Sequence, residues 1–136
     1  MRMSAIFPAR LDAMAAVCGL LERFCAAGGV ARDDCLRLNL VVEEFFTNTV
    51  RHGHGKDCDA PVWIAFSATP ERLSLEIEDT APPYNPFART VEVDLPLEAR
   101  RIGGLGVHLA RELAARSEYA YVFGRNCIRL QLARSR

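Results

Sequence analysis

In "RLSLEIED", Leu73, Leu75 and Ile77 alternate with polar residues. A period of two puts all three side chains on one face of a strand, so the segment is expected to be half-buried, with one apolar face that needs cover. The cover is present in the same chain at a different period. In "RDDCLRLNLVVEEFFTNTVRHG", residues 38, 41, 42 and 45 form one apolar stripe at helical spacing, with Asp33 or Asp34 as N-cap. From about Leu11 to Ala27, apolar residues at 11, 14, 15, 18, 21 and 25 form another, ended by Gly28-Gly29.

The remaining segments complete the order of elements. "SAIF" reads as a short edge strand before Pro8, and "PVWIAFSA" as a strand joined to "RLSLEIED" by a "TPER" hairpin. "APPYNP" is irregular, because proline fixes φ and removes donors. From Ala88 to Ile102 the chain is weakly patterned; "GGLGVHLARELAARS" then reads as glycines followed by a helix. "YAYVF" and "CIRLQLA" are two last strands turning at "GRN". The order α-α-β-β-loop-α-β-β predicts an α+β two-layer sandwich, a mixed, mostly antiparallel sheet with helices on one face. At 136 residues the simplest organisation is a single domain over 1–136.

Composition enters as exclusion. Formal net charge is zero, which leaves no basic footprint for nucleic acid. No run approaches the roughly 18–20 apolar residues of a membrane span, and "MRMSAIFPARLD" has no signal-peptide apolar region. The five cysteines are scattered, odd in number and without a CxxC, which reads as reduced thiols in the cytosol.

Four constellations could carry chemistry. Arg37, Glu44, Asn48 and Arg51 or His52 share a face of the second helix turned away from its apolar stripe, and Glu44 and Asn48 are stacked neighbours. An amide oxygen suits Mg²⁺, and a carboxylate one turn away can take a proton from a hydroxyl; a solvated helix face would show the same spacing. Asp79 ends a strand before an irregular loop, where it could accept from the exocyclic amine of a base or merely form a turn. Gly103, Gly104 and Gly106 open a helix, a place where backbone N–H groups can cradle phosphate; neither G-x-G-x-x-G nor G-x-x-x-x-G-K-[ST] is present. His52, His54 and Cys58 have metal-ligating side chains, but at a spacing that fits no standard zinc site.

The order of these signals is more specific than any one of them. "EEFFTNTVRHG", "DTAPPYNP" and "GGLGVHLARELA" resemble the N, G1 and G2 boxes of the GHKL (Bergerat-type) ATPases, which include histidine kinases, gyrase-type topoisomerases and anti-sigma-factor serine kinases. The likeness is to the anti-sigma group in particular. "FPARLDAMAAVCGLLERFCAAGGV" is similar to its first helix, "EEFFTNTVRHG" is similar to its E-x-x-T-N-x-x-x-H-G pattern, and "DTAPPYNP" resembles its D-x-G-x-x-F-[DN]-P stretch.

The resemblance implies ATP and Mg²⁺ as ligands. Asn48 would hold the Mg²⁺, Glu44 would be the general base, and Asp79 would accept from the adenine amine. Arg51, His52, Ala81, Gly103, Gly104, Leu105 and Gly106 would complete the nucleotide site, with residues 87–102 as lid. Glu43 leaves the helix about 100° from Glu44, which favours Glu44 as the base. Ala81 stands where the family has glycine, and the lid offers only Arg89, Arg100 and Arg101 as cations. The implied function is that of a cytoplasmic anti-sigma-type serine-protein kinase. It would phosphorylate a small STAS-like anti-sigma antagonist, bind a sigma factor by partner switching, and could form a homodimer. Two alternatives stay open: a nucleotide-gated binding module without kinase activity, and the stand-alone catalytic domain of a histidine kinase.

Overall fold

The alternation that marks the strands sets which face of the sheet is dry. In the computed structural model, which describes residues 1–88 and 114–135, five strands lie in the order β1-β2-β3-β5-β4. They are β1 (Arg2–Pro8), β2 (Pro61–Ala68), β3 (Arg72–Asp79), β4 (Arg116–Val122) and β5 (Arg125–Ala133). All four pairings are antiparallel. The register sets Ile64, Ile77 and Ile128 side by side across β2, β3 and β5, and all three are buried. Helices α1 (Met14–Gly28) and α2 (Arg32–Asn48) cover that face. Phe24 of α1 stacks on Phe66 of β2 at 5.6 Å between ring centroids. Each such fully buried large side chain is worth roughly 1.5–3 kcal/mol in removal from water. Among the described residues no helix is long and apolar enough to cross a membrane.

The expected stripe of α2 is found as read: Leu38, Val41, Val42 and Phe45 are all buried. That of α1 has the right period and the wrong phase. Its buried residues are Val17, Leu20, Leu21, Phe24 and Cys25, while Ala15 is exposed. The bulky Val17, Leu20 and Phe24 take the sheet side, and the small Ala15 gains little from burial. Gly29, in the left-handed conformation at φ 60°, caps α1 as the glycine pair predicts.

Two local expectations are corrected. The last hairpin turns on two residues, Phe123 and Gly124, rather than on "GRN": Val122 pairs with Arg125, and φ is 52° at Phe123 and 76° at Gly124. Two positive φ values are what a tight hairpin with right-handed strand twist requires. Neither Asp33 nor Asp34 caps α2, whose N-cap is Ala31, with no side-chain bond. Asp34 is instead fully buried and drawn to the far end of the chain. Its Oδ1 accepts from Arg37 Nη2 at 2.6 Å and Ser135 Oγ at 2.8 Å, and its Oδ2 from Ser135 N at 2.8 Å.

Burial alone would raise the Asp34 carboxyl; the Ser135 and Arg37 donors outweigh it and hold the group below its ordinary 3.8. A depressed carboxylate stabilises the fold fully above its unfolded value and loses that contribution as pH falls through the folded one. Asp34→Asn is therefore expected to cost about 1.5–3 kcal/mol at neutral pH, the usual worth of hydrogen bonds to a charged group. The gap between parent and variant should narrow below about pH 4. Urea unfolding of both proteins across pH checks this, and a gap that widens on acidification would contradict it.

Candidate functional site

The site forms where α2 ends beside the end of β3. After Asn48 the chain does not continue as the α-helix expected through residue 53. It widens into a π-helical turn over Thr49–His54 and leaves it at Gly55, φ 81°. Such turns expand the hydrogen-bond ring and occur often at functional sites. The widening also breaks the expected common face: Asn48, Thr49 and Val50 are buried while Arg51 and His52 are exposed. Glu44 is half-buried, one turn before Asn48.

Asn48 is 1% exposed, and neither its Oδ1 nor its Nδ2 has a hydrogen-bond partner among the described residues. An unsatisfied buried polar group costs on the order of 1–3 kcal/mol, so this amide is free to take a further partner such as a bound ligand. Its oxygen is a hard, neutral donor of the kind Mg²⁺ accepts; on this observation the residue fits the metal role. His54 Nε2 is likewise buried without a partner among the described residues. Glu43 points elsewhere: its Oε1 accepts from Asn39 Nδ2 at 3.0 Å and from Cys18 Sγ at 3.6 Å. Burial, and then the Glu43 charge, push the Cys18 thiol up to about 11. Among the described residues no group of three or more His, Cys, Asp or Glu side chains is placed to hold a metal ion.

Asp79 lies next to this turn with no exposed surface. Its Oδ2 accepts from Thr49 Oγ1 at 3.1 Å; its Oδ1 accepts from Ala81 N at 3.0 Å and Asn126 Nδ2 at 2.9 Å. Asn126 is the fixed point of the loop that follows. Its Nδ2 also donates to the carbonyls of Ala81 and Pro82, and its Oδ1 accepts from Tyr84 N and Tyr119 OH. Ala81, buried, is not among the residues with positive φ, so its methyl group carries no backbone strain there. Gly53 is required by contact: a Cβ there would sit 2.8 Å from Tyr84 Cε1 and 3.1 Å from the Ala81 methyl. Gly103, Gly104, Leu105 and Gly106, and the expected lid, lie outside the described residues.

The two ends thus bring Glu44, Asn48, Asp79 and Ala81 into one region, with Thr49 Oγ1 as the direct link. Thr49, Tyr84, Tyr119 and Asn126 were not singled out from the sequence. Thr49 continues the buried stripe of α2 at 38, 42 and 45, and Asn126 continues the inward alternation of 128, 130 and 132. A polar residue on an apolar period is the signal that could have found both. A recess of about 450 Å³, lined in part by Trp63, Glu76 and Glu78, opens on the sheet face opposite Asp79 and shares none of these residues.

Comparison with known proteins gives this region a family. The chain is similar to the crystal structure of the RsbU and RsbW domains of Rv1364c from Mycobacterium tuberculosis. The TM-score is 0.68 at 16% identity, over 99% of this chain and 33% of that one. That likeness is one of fold, and this chain spans only about a third of the solved one. No curated protein matches the chain. The family model of the histidine kinase-like ATPase domain matches residues 7–132, from the end of β1 to β5. With nearly its whole length inside that match, the chain belongs to the histidine kinase-like ATPase domain family.

Proposed function

We propose that the chain, as one domain over 1–136, binds ATP with Mg²⁺ at the Asn48–Asp79 region and transfers phosphate to a serine of a small partner protein, as an anti-sigma-type regulator. The observation that carries the reading is the buried Asn48 amide, without a hydrogen-bond partner among the described residues and one residue from the Thr49 hydroxyl that bonds Asp79. Asn48 would hold Mg²⁺, which when bound neutralises phosphate charge. Asp79 would accept from the adenine amine; Arg51 and His52, exposed on the π-helical turn, would flank the nucleotide. Gly103, Gly104, Leu105 and Gly106 would receive the phosphates, as the resemblance of "GGLG" implies.

Glu44 is the proposed base. The partner's serine oxygen would form its bond to the γ-phosphorus, the bond from that phosphorus to the bridging oxygen would break with ADP leaving, and the serine proton would pass to Glu44. The proposed partners are a STAS-like antagonist and a sigma factor, met in alternation in the cytoplasm. The test is capture of the native partner with and without ATP and Mg²⁺, followed by a phosphate assay on the captured protein. Serine phosphate that needs both ATP and Mg²⁺ supports the kinase. Nucleotide binding with no phosphate on any captured protein would favour a nucleotide-gated binding module.

A further inference from the structure

Asp79 has no exposed surface, yet a carboxylate that receives a base must be reachable. Among the described residues its surroundings can be read bond by bond. Thr49 has a single hydroxyl proton, and Asp79 Oδ2, which can only accept, takes it at 3.1 Å. The 3.2 Å contact between Thr49 Oγ1 and Tyr84 OH is therefore donated by Tyr84. The Tyr84 ring packs on the π-helical turn at Gly53, where a Cβ would meet it at 2.8 Å. Its backbone N–H is held by Asn126 Oδ1 at 3.1 Å. The phenol thus packs on the Thr49 hydroxyl that bonds Asp79 and the ring edge on Gly53, on a loop that Asn126 anchors independently of that side chain.

We propose that Tyr84 is a side-chain gate on the base-binding site, closed over Asp79 through Thr49 when no nucleotide is present, and that the energy of opening it sets the affinity for an adenine nucleotide. This rests on the nucleotide reading of the previous section. Opening is a rotation of one side chain, because Asn126 holds the loop backbone at Ala81, Pro82 and Tyr84. Measured affinity is then the intrinsic affinity multiplied by the fraction of molecules with the gate open. The hydroxyl bond to Thr49 is the latch. Its removal should raise that fraction by the worth of one neutral hydrogen bond, roughly 2- to 10-fold.

The test pairs binding with a readout from the phenol. Titration calorimetry of the parent and Tyr84→Phe with Mg-ADP should give a dissociation constant about 2- to 10-fold lower for the variant. In ligand-free protein the Tyr84 phenol is held above the ordinary tyrosine range, by burial first and then by the Asp79 charge. Its ¹³Cζ NMR titration, assigned by its loss in Tyr84→Phe, should move down toward about 10 when saturating Mg-ADP swings the ring out. Equal or weaker binding by Tyr84→Phe, or a phenol titration unmoved by nucleotide, overturns the gate and leaves nucleotide binding standing. No binding by either protein overturns both. Binding by Tyr84→Phe alone supports the gate in its strongest form.

Discussion

Glu44→Gln is expected to bind Mg-ATP about as well as the parent and to transfer phosphate to the partner's serine about 10²–10⁴-fold more slowly, the usual worth of a positioned general base. Glutamine keeps the size and the hydrogen-bonding reach of the side chain and removes only its basicity, so ground-state binding changes little. Position supports the choice of residue. Glu44 is half-buried one turn before Asn48, and Glu43 bonds Asn39 and Cys18 between the two helices. Glu43→Gln should accordingly leave transfer near the parental rate. Phosphate incorporation measured for the parent and both variants decides the matter. Equal rates for parent and Glu44→Gln would remove Glu44 from the base role.

Asn126→Ala is expected to destabilise the fold strongly, by about 3–5 kcal/mol. Asn126 is fully buried. Its Nδ2 serves Asp79 Oδ1 and two backbone carbonyls, and its Oδ1 serves Tyr84 N and Tyr119 OH. Alanine would leave several of these groups buried and unsatisfied, each at roughly 1–3 kcal/mol, and a connected network loses more than one bond's share. The melting temperature should fall by on the order of 10 °C or more. Tyr119→Phe, which removes one donor from the same network, should cost about 1 kcal/mol. Thermal unfolding of both variants followed by circular dichroism tests this; an Asn126→Ala loss no larger than that of Tyr119→Phe would contradict it.

The layers of this fold were legible because they rest on period alone. The alternation of Leu73, Leu75 and Ile77 and the stripe of Leu38, Val41, Val42 and Phe45 lead directly to the dry face of β3 and the buried side of α2. The phase of α1 was less legible, since alanines and cysteines count as apolar in a pattern but yield to Val17, Leu20 and Phe24 in a core. Turn details depended on contacts remote in sequence. Asp34 reads as a cap locally and is claimed by Ser135, 101 residues away. At the site, Asn48 and Asp79 could be named from the boxes they resemble. Their junction could not, because it is made by Thr49, Tyr84 and Asn126, and Asn126 meets Asp79 only through the pairing of β3 with β5.

Titration of the parent and Asn48→Ala with ATP, each with and without Mg²⁺, tests the proposed nucleotide site most directly. The buried Asn48 amide oxygen has the donor chemistry of a hard-cation ligand. ATP should therefore bind the parent with heat that depends on Mg²⁺, and Asn48→Ala should lose about 10- to 100-fold in affinity when Mg²⁺ is present, the worth of a contact to a charged ligand. No heat from the parent at protein concentrations of tens of micromolar, or equal affinity in parent and Asn48→Ala with Mg²⁺, would contradict it.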